Sequence, residues 1–172
     1  GRIALASLNR DGYGRNLYLE EDVTDKDTFA MRAELGAYIG EDFDVQIAFD
    51  KMIDNSNPRG AQMLAPNAFG PGLLITPKTA PLEDRYDVRS GMPGVNETVM
   101  KGASLTANYR ASEDWSFKYI FAQRESGTDT YIDFDTLPQQ ITDVKAFYDD
   151  EQLSQELQAH FDGGGASRGV MG

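Results

Sequence analysis

The chain contains no cysteine. That excludes a disulfide scaffold, a thiolate metal site, a CxxC redox centre and a cysteine nucleophile. It contains one histidine, His160, so a histidine-rich metal centre is excluded and a histidine-based triad would have to use that residue. Basic residues are scarce, 16 Lys and Arg against 28 Asp and Glu, for a net charge of −12 over 172 residues. A nucleic-acid partner is not expected, because a phosphate backbone calls for clustered Lys and Arg. No run approaches the roughly 20 apolar residues of a membrane helix. That absence leaves a membrane β-barrel untouched, since its strands are apolar only at every second position. The chain starts at Gly1 with no charged-then-apolar leader, so a processed protein or an excised piece is expected.

What is present is a period of two. Phe29, Met31, Ala33, Leu35, Ala37 and Ile39 alternate with Ala30, Arg32, Glu34, Gly36 and Tyr38. Phe43, Val45, Ile47 and Phe49 alternate with Asp44, Gln46, Ala48 and Asp50. The pattern returns at Ala103–Tyr109, at Trp115–Phe121 and, with Gln155 interrupting it, near Leu153–Phe161. Such alternation puts one face in an apolar medium and the other in water or a polar interior, whereas a helix would scatter the same residues around its girth. The fold expected is all-β, an antiparallel up-and-down meander of about six strands near 2–8, 28–39, 43–53, 98–110, 115–124 and 151–162. Gly169-Val170-Met171 would open a seventh.

The links between these strands are of two kinds. Gly40-Glu41-Asp42, Ala111-Ser112-Glu113-Asp114 and the Gly-rich stretch from Gly163 to Arg168 are short. The others, about 9–27, 54–96 and 125–150, are long and contain all seven prolines. Long and short alternate along the chain. A transmembrane β-barrel has this arrangement, with short turns at one rim and long loops at the other. Acidic turns enter aromatic-led strands twice, at Glu41-Asp42-Phe43 and Glu113-Asp114-Trp115, where the rings would form part of an interfacial girdle.

Several runs resemble the barrel of TonB-dependent outer-membrane receptors. They are Arg10-Asp11-Gly12-Tyr13 with Arg15-Asn16, the loop run Asp129-Thr130-Tyr131-Ile132-Asp133-Phe134-Asp135, and the strand run Asp149-Asp150-Glu151-Gln152-Leu153-Ser154-Gln155-Glu156-Leu157. The closing Gly169-Val170-Met171-Gly172 is similar to the opening of the next strand in that family. The resemblance implies a plugged barrel of about 22 strands. It implies import of a scarce nutrient, an iron chelate, cobalamin or a glycan, driven through TonB. On this reading residues 1–172 are a partial barrel with the plug absent. Outer-membrane lipid and the small-molecule nutrient are its partners, as are TonB and the plug through the missing parts of the parent chain. Six strands do not close a membrane barrel, for which about 8 is the minimum, and the isolated piece is expected to self-associate.

The 125–150 segment holds seven acids and one base, Lys145, a net −6. Such a segment suits a hard cation such as Ca²⁺, repels anions, or is simply solvated. Among the acids, Tyr131, Asp133, Phe134, Asp135 and Tyr148 are the ligand-contact candidates, because aromatics set between polar groups stack on ligands and loops carry recognition. No catalytic residue, metal ligand or cofactor is assigned. Asp133 and Asp135 could be taken for a carboxylate pair, but a glycosidase would need a cleft between them. His160 falls on a polar strand face, and a lone histidine builds no triad without a nucleophile and an orienting acid in reach. Arg32, Glu34, Asp44, Gln46, Lys118, Glu156 and Gln158 would line the interior of a barrel. The alternative is a soluble antiparallel β-domain serving as a ligand-binding or adhesion module, with its apolar face packed on a second layer.

Overall fold

The alternating segments pair into one antiparallel sheet in the computed structural model, which describes residues 1–62, 64, 81–165 and 167–172. The strands are β1 (Arg2–Arg10), β2 (Gly14–Asn16), β3 (Glu21–Val23), β4 (Lys26–Ile39), β5 (Phe43–Asp54), β6 (Asn96–Arg110), β7 (Trp115–Asp133), β8 (Asp143–Asp162) and β9 (Arg168–Met171). Seven of them form an open sheet in the order β1-β4-β5-β6-β7-β8-β9, and β2 and β3 make a small hairpin of their own. Each strand of the large sheet lies beside its predecessor in that sheet, so the up-and-down meander is confirmed, and β9 is the seventh strand expected to open at Gly169-Val170-Met171. The sheet does not close into a barrel. Pro58, Pro81, Pro93 and Pro138 lie outside the strands, as ladder hydrogen bonding requires. Pro66, Pro71 and Pro77 lie outside the described residues.

Register places every apolar alternate on one face. One row across the sheet reads Leu35, Ile47, Leu105, Phe121, and the next toward the short links reads Ala37, Val45, Ala107, Tyr119, Leu157. The opposite face carries Arg32, Asp50, Gly102 and Arg124 in a single row. There the charges pair among themselves. Arg32 Nε lies 2.6 Å from Glu34 and Arg124 Nη2 lies 3.2 Å from Asp50. Asn108 donates to Asp44 at 2.8 Å, and Gln158 to Glu156 at 2.6 Å. Among the described residues, the side chain of His160 hydrogen-bonds Gln158 alone, at 3.1 Å.

Nothing among the described residues covers the apolar face. Ile3 is 77% exposed and Leu35 68%. Among the described residues, the buried apolar ones are Val23, Val88, Met92, Leu137 and, alone within the large sheet, Ala48. The small core therefore sits among the loops. Water against so many large apolar side chains is costly, at roughly 1.5–3 kcal/mol for each Leu, Ile or Phe left unburied.

All three short links lie at one rim. Arg110 N donates to Asp42 O, and Asp162 N to Asp114 O, each across neighbouring links. Gly40, Gly164 and Gly165 have positive φ, which turns this tight require. Trp115 stacks near this rim on Phe117, with centroids 6.3 Å apart, and leans on Phe161 at 5.0 Å.

The borders of the apolar face run obliquely over β4 to β7. The ladder carries Phe29 to Gly127, yet the apolar run of β7 stops at Phe121, six residues nearer the short links. At the other border it carries Ile39 to Phe117, and the run continues to Trp115, two residues further. The mean drop is about 1.3 residues, or ~4.5 Å, per strand step of ~4.8 Å. A level apolar band would thus cross strands tilted by roughly 40°.

The long link expected at 125–150 is mostly strand. β7 runs to Asp133 and β8 begins at Asp143, leaving 134–142 as the turn. The ladder between them is continuous from Trp115↔Phe161 to Asp133↔Asp143. Both faces of its upper part are polar, so the alternation disappears while β-forming Thr, Tyr, Ile, Val and Phe remain. The 9–27 link likewise contains the β2–β3 hairpin.

Candidate functional site

At the rim opposite the short links, three segments knit into a cap. Asn16 is its hub, 1% exposed. Its Nδ2 donates to Ser90 O at 3.0 Å, and its Oδ1 accepts from Tyr18 N at 3.1 Å and Leu19 N at 3.4 Å. An amide is suited to this role because it donates and accepts at once. Around it the backbone of β2 and of the residue after it bonds the 81–95 segment twice, Leu17 N to Val88 O and Val88 N to Arg15 O, both at 2.9 Å. Gly91 N donates to Leu137 O at 2.9 Å, and Gln140 Nε2 to Gly91 O at 2.8 Å. Gly91 is close enough that an added Cβ would lie 2.2 Å from Pro138 O. Asn57 Nδ2 reaches Asp22 O at 2.9 Å, and Glu21 accepts from Gly94 N at 3.0 Å. Val23, Val88, Met92 and Leu137 are buried within this network.

The β7–β8 turn rises into the cap. Asp135 organises it, accepting from Leu137 N on Oδ1 (2.9 Å) and from Ile141 N (3.0 Å) and Thr142 N (2.8 Å) on Oδ2. Asp133 Oδ1 accepts from Asp135 N at 3.0 Å and Thr136 N at 2.6 Å. Thr136 has φ +58, a left-handed conformation that these side-chain acceptors hold in place. Asp143 completes a group of three carboxylates, one oxygen from each lying within 4.8 Å of the others. Asp133 Oδ2 and both Asp143 oxygens are occluded and meet no donor. A proton or a hard cation is what relieves such a group.

Burial, and then the neighbouring Asp133 and Asp135 charges, push the Asp143 carboxyl above the ordinary carboxylate pKa. A carboxyl whose pKa is raised on folding opposes the folded turn when ionised. Its contribution is favourable below the unfolded value of 3.8 and is lost as pH rises through the folded value. Acidification toward that range is therefore expected to tighten the 134–142 turn, and Asp143→Asn to tighten it at neutral pH and flatten the response. Amide exchange at Thr136 and Leu137, corrected for intrinsic rates, reads both. Equal pH dependence in the two proteins would contradict the assignment.

The structure brings together Asp133 and Asp135, two of the five ligand-contact candidates. Their partner Asp143 was counted in the sequence only as part of the acidic segment. Tyr131 stands on the outer part of β7, with Lys145 Nζ 4.7 Å above its ring and Phe147 edge-on at 6.4 Å. Phe134 is 65% exposed in the turn. Tyr148 pairs with Thr128, so it lies on the opposite face of the ladder from Tyr131 and Asp133. The five do not form one site. Asp135 spends both oxygens on the turn, and no cleft separates it from Asp133, so the pair lacks the geometry of an acid/base couple.

In the sequence Asn16 entered only through the run that carries the resemblance, and Val88, Met92 and Leu137 were not singled out. The available signals were Gly91, Gly94 and the Asp-rich turn, all marks of close backbone approach. A second exposed aromatic group lies on the same cap, where Tyr13 meets Tyr86 edge-on at 5.0 Å. Arg10 lies 4.8 Å over the first ring and Arg85 4.6 Å over the second. Compared with protein family models, curated proteins and solved structures, the chain matches none of them.

Proposed function

We propose that this chain is a stretch of the wall of an outer-membrane β-barrel of the TonB-dependent receptor class, with its cap as the outward, ligand-selecting part. The observation that carries the bilayer reading is the uncovered apolar face. It is bounded on one side by short links and an aromatic cluster, and on the other by an ordered cap. Strands tilted by roughly 40° are the geometry in which a barrel crosses lipid, and the oblique borders of this face correspond to that tilt. The polar face, with its charges paired in rows, suits a barrel interior. The receptor class rests on the residue runs around Arg10–Asn16, Asp129–Asp135 and Asp149–Leu157. In this reading the chain performs no reaction. It holds position in lipid, and the Asn16-centred cap presents Tyr13, Tyr86, Phe134 and the Asp133 group to a small-molecule nutrient. The plug and TonB act through other parts of the parent.

The soluble β-domain alternative needs a layer over Phe29–Ile39 and Phe43–Phe49, and the described residues supply none. The piece also exposes two sheet edges, β1 and β9, whose unpaired backbone groups favour association. Static light scattering of the chain with and without detergent tests this reading. Large aggregates in buffer that disperse in detergent are expected. A monodisperse monomer in plain buffer, with Ile3 and Leu35 still exposed to water, would contradict it.

A further inference from the structure

The apolar face is interrupted at one row. Lys51 and Lys101 stand directly opposite each other across β5 and β6 on that face. Like charges in this position repel. The rows on either side are apolar, Phe49 with Ala103 toward the short links and Ile53 with Val99 toward the cap. Both lysines are exposed. Lys101 Nζ reaches Glu125 at 2.6 Å, while Lys51 has no ion-pair partner among the described residues. The Lys51 stem can lie along the apolar surface with its ammonium group raised toward the cap.

We propose that the Lys51–Lys101 pair binds the phosphate of an anionic lipid headgroup, with the acyl chains lying on Phe49, Ile47 and Leu105. The proposal rests on the bilayer reading above and adds a ligand to it. Three observations carry it. The row sets two lysines side by side, the Lys51 ammonium without an ion-pair partner among the described residues and the Lys101 ammonium on Glu125. It lies next to an uncovered apolar surface long enough for chains. It stands at the right height, since Lys51 is eight residues beyond Phe43 on β5. That is ~27 Å along the strand and ~20 Å in height at a tilt of roughly 40°, near the far border of an apolar band about 25 Å tall. The same row turns acidic on β7 and β8, where Glu125 faces Glu151. The anion is thereby confined to the β5–β6 side.

The test measures partition of the chain, through the fluorescence of its single tryptophan, Trp115. The two vesicle types are pure phosphatidylcholine and an equal mixture with phosphatidylglycerol. The readout is the ratio of the two partition constants. K51Q/K101Q is compared with K118Q/K145Q, which removes the same charge elsewhere. The ratio is expected to fall by about fivefold per lysine in the first variant and to stay within about twofold of wild type in the second. K51Q alone, which leaves the Lys101–Glu125 pair intact, is expected to lose about fivefold, and K51R/K101R to keep the wild-type ratio. Equal falls in the two double variants, or no fall in K51Q/K101Q, would overturn the lipid site while leaving the bilayer reading in place. Failure of the wild-type chain to enter either vesicle would overturn both.

Discussion

Asn16→Ala is expected to unfasten the cap while leaving the large sheet paired. The substitution removes one donor and one acceptor from a position that is 1% exposed. It strands Ser90 O and the amides of Tyr18 and Leu19, which the side chain now satisfies. An occluded polar group left without its partner costs about 1–3 kcal/mol. That corresponds to roughly 5- to 150-fold faster local opening. The effect should spread along the backbone bonds that depend on this hub. Amides of Leu17, Val88 and Gly91 should exchange faster together, because each lies in the chain of contacts from β2 through 81–95 to Leu137. Amides in the centre of β5 and β6, such as Ile47 and Leu105, should not change. Unchanged protection at Val88 and Gly91 would show that the cap does not depend on Asn16. Loss of protection throughout β5 and β6 would show that cap and sheet are one cooperative unit.

This separation of cap and sheet also explains what could be read in the sequence. The sheet was legible because one of its faces is apolar over many positions. Phe43, Val45, Ile47 and Phe49 announce a strand through their contrast with Asp44, Gln46, Ala48 and Asp50. The same contrast fixes which face each residue occupies, since a slip of one residue would invert it. Where both faces are polar the signal vanishes. Glu125, Ser126, Gly127 and Thr128 form strand in the structure but show no alternation, and so 125–150 reads as loop. Their conformation comes from pairing with β8, a long-range partner that a local pattern does not reveal.

The site was less legible for a related reason. Asp133 and Asp135 were visible as acids close together in sequence. Their grouping with Asp143 depends on a hairpin whose register is set by the entire β7–β8 ladder. Tyr148 was grouped with them by proximity in sequence, yet pairing with Thr128 puts it on the other face. Asn16 carries no signal of its own, because its importance arises from Ser90, a residue far along the chain that folding brings to its side chain.

The central claim concerns where the apolar face points when the chain is in a bilayer. The absence of cysteine makes the measurement direct, since single cysteines can be introduced one at a time along β5 and each labelled with a nitroxide. In phosphatidylcholine bilayers the labels at 45, 47 and 49 should collide with oxygen dissolved in the lipid and be shielded from a water-soluble nickel chelate. Those at 44 and 46 should show the reverse, giving a period of two over this part of the strand. The label at 51 should mark the return to water. Low accessibility to both reagents at 45, 47 and 49 would mean that another protein layer covers this face, and high accessibility to the chelate there would mean that water does. Either result would contradict the account.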